Sequence, residues 1–100
     1  MDITISSRHT DLSEALVATT RQKISRLNRF GGGIERAEVH FSEERNPRIA
    51  EREVCEVWMD GRGEQVRCKV AGPDGFVAVD RAVEKLEQQL HKRKTRKTLR

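Results

Sequence analysis

Lys23, Arg26 and Arg29 recur at intervals of three, a spacing that stacks three cations on one side of a helix. A row of positive side chains does one kind of chemistry well: it binds a row of phosphates. Arg21 adds a neighbour, and Arg8 stands where the chain's opening apolar alternation ends. A second cluster closes the chain. His91 to Arg100 holds Lys92, Arg93, Lys94, Arg96, Lys97 and Arg100 and no acid, with Lys85 one or two helical turns upstream. The plainer explanation is a solvated helix face, since basic residues near a helix C-terminus complement its dipole and Glu84 and Glu87 dilute the cluster. Charge segregation tips the balance toward nucleic acid. Residues 35–64 carry nine acids against five arginines, so the overall charge of +4 divides into −4 there and +8 elsewhere. A molecule with one basic and one acidic side is steered toward polyanions.

The other reactive residue types do not assemble. His9 follows the opening alternation, His40 takes a solvent-facing position in an alternating segment, and His91 sits inside the basic run. None has a carboxylate or nucleophile at a catalytic spacing. Gly31 to Gly33 lack the Lys-Ser/Thr of a phosphate cradle, and neither GxSxG nor HExxH occurs. Cys55 and Cys68 are too few for a disulfide framework and stand in no CxxC pair, so the expectation is two buried free thiols and no metal. The chain is therefore expected not to be an enzyme, with no cofactor and no small-molecule substrate. No apolar run approaches the roughly 18 residues that span a bilayer, and no signal peptide opens the sequence. A cytoplasmic protein without a membrane partner is the expectation.

The elements that must carry the cations follow from periodicity. One hundred residues suit a single domain, 1–100, whose 35% hydrophobic but only 4% aromatic content calls for an aliphatic core. Ile3 and Ile5 alternate in a first strand. Asp11 and Glu14 have capping-box spacing, and Leu12, Leu16, Thr20, Ile24 and Leu27 then mark one face of a helix that the triple glycine ends. From Ile34 the period falls to two, giving strands around Ala37–Phe41, up to about Asp60, and through Val66, Cys68 and Val70. A two-residue turn at Gly61-Arg62 would set Cys55 opposite Cys68, Val57 opposite Val66 and Glu56 opposite Arg67. Asp74 is the expected N-cap of a last helix carrying Phe76, Val79, Val83, Leu86 and Leu90, with a basic helical tail at 91–100. The order is β-α-β-β-β-α, an α+β fold with a four-stranded mostly antiparallel sheet and two helices on one face. On that layout the exposed helix sides form one basic surface. Phe41 and Phe76 belong to the core, leaving Trp58 as the one aromatic for an acidic sheet face. Phosphate contact from helices to folded RNA fits this better than base stacking on the sheet.

Particular segments also resemble a known family. Ile3-Thr4-Ile5-Ser6-Ser7-Arg8-His9, Leu12-Ser13-Glu14-Ala15-Leu16 and Lys23-Ile24-Ser25-Arg26-Leu27 resemble the start of ribosome hibernation-promoting factors, also called ribosome-associated inhibitors. Glu38-Val39 through Glu44-Arg45-Asn46 looks like their second strand. Asp74 to Asp80 with Ala82 to Leu90 resembles their final-helix signature and is the most specific segment. The resemblance covers essentially the whole chain. It implies a layout similar to double-stranded RNA-binding domains and, as partner, the small ribosomal subunit and its rRNA. Binding would fall in the mRNA and tRNA channel at the decoding region, silencing translation under stress by steric occupancy. The family's basic positions fall on Lys23, Arg26, Arg29, Lys85 and Lys92. Gln88, Phe76 and Ser7 depart from its usual arginine, tyrosine and glycine. Long members add a C-terminal domain that pairs two ribosomes, so the chain is expected to be a short-type factor or the N-terminal part of a long one. The competing reading is a generic structured-RNA or protein-interaction module.

Overall fold

The computed structural model describes the chain except residues 9–10, 30–32, 62 and 99–100, and describes residues 64 and 92–98 by backbone alone. Expectations about His9, Phe30, Gly31, Gly32, Arg62 and Arg100 lie outside the described residues. The elements are β1 (Asp2–Ser7), α1 (Glu14–Arg26) with a 3₁₀ turn at Leu27–Arg29, β2 (Arg36–Glu43), β3 (Glu53–Gly61), β4 (Glu64–Gly72) and α2 (Gly75–Thr98). They make the expected β-α-β-β-β-α order. The sheet runs β1-β2-β3-β4, with β1 parallel to β2 and the other two pairings antiparallel, so it is mixed. α1 is the crossover that a parallel β1–β2 pair requires.

Period-two patterning builds the core. Ala37, Val39 and Phe41 of β2 meet Met59, Val57 and Cys55 of β3 in register, and all six are buried beneath the helices. α1 adds Leu16, Thr20 and Ile24, with Leu27 following in the 3₁₀ turn. Thr20 is the buried polar residue among them, and its hydroxyl donates to the Leu16 carbonyl at 2.7 Å, so burial leaves no orphan. From α2 come Ala78, Val79, Ala82, Leu86 and Leu90.

Three local expectations are corrected. The α1 cap is Ser13, not Asp11: the Leu16 N–H donates to Ser13 Oγ at 3.1 Å, so Glu14 opens the first turn instead of closing a capping box. The β3–β4 hairpin reverses one residue later than expected. Gly61 pairs with Glu64, and Gly63 takes φ 79°, a conformation cheap only for glycine. Every pair therefore shifts by two: Cys55 faces Val70, Val57 faces Cys68, and Trp58 faces Arg67. A slip of two keeps each side chain on its face, which is why alternation alone did not exclude it. Phe76 is not core; it is 43% exposed, and Val83 is only partly buried. Ala78 and Ala82 pack there instead, because α2 lies close on the sheet: a Cβ on Gly72 would sit 2.9 Å from the Ala78 nitrogen.

Asp74 does cap α2, accepting from the Val77 N–H at 2.9 Å, while its carbonyl takes the Ala78 N–H at 3.1 Å. Helix side chains also cover both sheet edges. Arg21 donates to the Ile3 carbonyl of β1 at 3.0 Å. Arg81 and Gln89 donate to the Ala71 and Arg67 carbonyls of β4 at 2.8 and 3.3 Å.

Candidate nucleic-acid interface

The helical period brings Lys23, Arg26 and Arg29 together as the sequence spacing requires. The last turn is 3₁₀, in which residues three apart eclipse, so Arg29 stays over Arg26. The three line one cleft with Val83 and Glu87 of α2. The helices run side by side in the same direction: a Cβ on Gly75 would meet Leu16, Lys23 bonds Asp80, and Arg29 pairs with Glu87 at 3.8 Å. The stripe is thus not purely solvent-facing. The Lys23 side chain is 33% exposed, and two of the three cations reach a carboxylate on the neighbouring helix. Sequence reasoning missed Asp80 and Glu87 as partners. Their spacing of seven puts them on one side of α2, but nothing in either helix alone states which turn of α1 that side meets.

The remaining cations fall elsewhere. Lys85 lies on the opposite flank of α2, in a shallow groove along β4 with Lys69, Ala71, Arg81, Glu84 and Gln88. Arg81 pairs there with Glu51 at 2.7 Å, which holds the Glu51 carboxyl below its usual range. Asp80, Glu84 and Glu87 stand between Lys85 and the α1 stripe, so among the described residues the two helices do not form one continuous basic surface. Arg8 emerges at the end of β1 and lines a depression on the sheet face away from the helices, beside Ser6, His40, Trp58 and Lys69. Backbone α2 continues to Thr98, but the side chains of Lys92, Arg93, Lys94, Arg96 and Lys97 lie outside the described residues.

The open sheet face is a mosaic rather than an acidic plate. Arg67 pairs with Glu56 at 3.4 Å and sits 5.7 Å from the centre of the Trp58 ring, so the lone aromatic there already has a cation on it. Ser6 Oγ and His40 Nδ1 hydrogen-bond at 2.8 Å. Among the described residues no group of three or more His, Cys, Asp or Glu side chains could hold a metal. Cys55 and Cys68 are buried free thiols. Burial, and secondarily the nearby Cys68, pushes the Cys55 thiol up to about 12, and burial raises Cys68 as well. Among the described residues no helix is long and apolar enough to cross a membrane.

Known proteins share this fold. The family described as Sigma 54 modulation protein / S30EA ribosomal protein matches residues 3–98. A ribosome hibernation promotion factor of Mycobacterium tuberculosis is 31% identical over 99 residues, covering 96% of this chain and 44% of that protein. One from Deinococcus radiodurans is 30% identical over 92 residues, covering 92% of this chain and 48% of that protein. The chain thus spans about half the length of the curated relatives it matches. The crystal structure of the Thermus thermophilus Protein Y N-terminal domain superposes with TM-score 0.77 at 29% identity, covering 92% of this chain and 98% of that one. A ribosomal subunit interface protein from Coxiella burnetii has the same fold, with TM-score 0.78 at 23% identity over 95% of this chain and 99% of its own. The family match over residues 3–98, nearly end to end, gives one assignment: the chain belongs to the Sigma 54 modulation protein / S30EA ribosomal protein family.

Proposed function

We propose that this domain is a ribosome hibernation factor. It binds the small ribosomal subunit through rRNA phosphates in the decoding-region channel used by mRNA and tRNA, and silences translation under stress by occupying that space. One observation carries the reading: three cations of α1 converge on a single cleft in a chain whose relatives are named ribosome hibernation promotion factors. The work is electrostatic and steric. Lys23, Arg26 and Arg29 take phosphates along α1, Lys85 and Lys92 add a separate contact on α2, and Arg8 contributes at the end of β1. The tail cations Arg93, Lys94, Arg96 and Lys97 add charge where α2 runs on beyond Leu90 of the core. The domain, residues 1–100, acts in the cytoplasm, where its target is. Pairing of two ribosomes would fall to a further domain such as long members carry.

Sedimentation of lysate through a density gradient tests this. The tagged chain should co-migrate with small subunits or whole ribosomes and be released as salt rises. A chain that stays in the light fractions yet binds purified duplex RNA is a generic RNA module, and the ribosomal reading falls.

A further inference from the structure

The carboxylates that meet the α1 stripe are its least expected feature, because an interface for phosphates gains nothing directly from acids. Asp80 and Glu87 sit two helical turns apart on the side of α2 that faces α1. They engage the outer two cations, Lys23 and Arg29, with Arg26 between them. All four side chains keep solvent contact, from 33% exposed for Lys23 to 66% for Arg29, and exposed pairs of this kind are weak and exchange readily. They therefore do little to hold the helices together, and they do not lock the stripe shut. What they do is place negative charge where an incoming phosphate must lie.

We infer that Asp80 and Glu87 are specificity-determining residues, resident counter-anions that mask the α1 stripe against arbitrary nucleic acid. They oppose least an RNA surface shaped to meet the cations while keeping its phosphates clear of the two carboxylates. The inference rests on the RNA-binding reading of α1 above. An unspecific duplex offers phosphates alone and meets the full opposition of both carboxylates. A shaped site sets its phosphates against the cations and away from Asp80 and Glu87, so it meets less of that opposition than a duplex does. Like charge set against the wrong partner is a general route to selectivity. A unit charge roughly 6 Å from a phosphate in water changes binding about threefold, so two carboxylates amount to about tenfold at low salt. The effect fades as the screening length contracts toward roughly 8 Å near physiological salt.

The test uses Asp80→Asn, Glu87→Gln and their combination, with Glu35→Gln/Glu38→Gln as a charge-matched control at two exposed positions, one just before β2 and one within it. Fluorescence anisotropy on a labelled RNA duplex of arbitrary sequence is read beside sedimentation with purified small subunits, after circular dichroism has confirmed the fold of each variant. The double variant should bind the duplex about tenfold tighter at low salt, with about threefold for each single change. The control should gain distinctly less, and subunit affinity should rise less than duplex affinity. A duplex affinity that is unchanged or weaker would make the pairs a structural clamp and overturn the inference. So would a control that gains as much, or subunit and duplex affinities that rise equally. If the parent chain fails to bind subunits at all, the ribosomal proposal fails, while the duplex arm still decides whether the acids mask the stripe.

Discussion

Replacing Lys23, Arg26 and Arg29 together by glutamine removes three cations without adding a charge, and the geometry of the stripe sets what that should cost. Two of the three are ion-paired across the helices, but both pairs are exposed by a third or more on each side. Exposed pairs contribute about 0–1 kcal/mol each, so the stability loss should be about 1 kcal/mol, a drop in Tm of about 4–8 °C for a domain this size. Glutamine is preferred to glutamate for a structural reason. Reversed charges at positions 23 and 29 would stand beside Asp80 and Glu87 and push α1 from α2, confounding a binding defect with a folding one. On the binding side, each phosphate that is no longer neutralised lowers the slope of log affinity against log salt by about 0.7–0.9, hence by about 2–3 for the stripe. A slope change of that size alters the affinity ratio between about 50 and 200 mM salt roughly thirtyfold. Titration of small subunits by sedimentation at several salt concentrations, with thermal melts of the same preparations, measures both. A folded triple variant whose salt slope equals the parent's would refute the claim that this stripe meets phosphate.

Four further outcomes are expected. With Cys55 pushed up to about 12 by burial and Cys68 also raised, both thiols should resist alkylation at pH 8 in the native protein and react on unfolding. Replacing both with alanine should lower stability by about 1–3 kcal/mol and leave subunit affinity intact, as melts and sedimentation would show. Glu53 faces Glu43 across β2 and β3, and burial first, then that neighbouring charge, raises its carboxyl above 4.5. The Glu53 contribution to stability thus falls as pH rises through the carboxylate range, opposite in sign to that of Glu51, and the advantage of Glu53→Gln over the parent should grow as pH rises above 4.5 in denaturant titrations. Truncation after Leu90, the last buried residue among the described side chains of α2, should leave Tm nearly unchanged while weakening subunit binding by about an order of magnitude or more. Unfolding on truncation would instead make the tail part of the core.

What could be read from the sequence was whatever repeats with the period of one element. Period two named the buried faces of β2, β3 and β4, and period three to four named Leu16, Thr20, Ile24 and Leu27 as well as the cationic stripe beside them. What could not be read was how one element sits against another. The hairpin slip of two leaves the in-and-out pattern untouched, so only the backbone preference of Gly63, with φ 79°, separates the two registers. Phe76 and Val83 fit the helical period as well as Ala78 and Ala82 do, yet the close approach at Gly72 leaves room for the small residues and turns the large ones outward. The same blindness hid the partners of Lys23 and Arg29. A stripe of cations reads as a free phosphate surface until the second helix is laid beside it, and which residues then face it depends on a side-by-side alignment that neither helix encodes alone. On the proposed reading the interface is defined by two helices jointly: α1 would supply the charge that attracts RNA, and α2 the charge that sets how indiscriminately it does so.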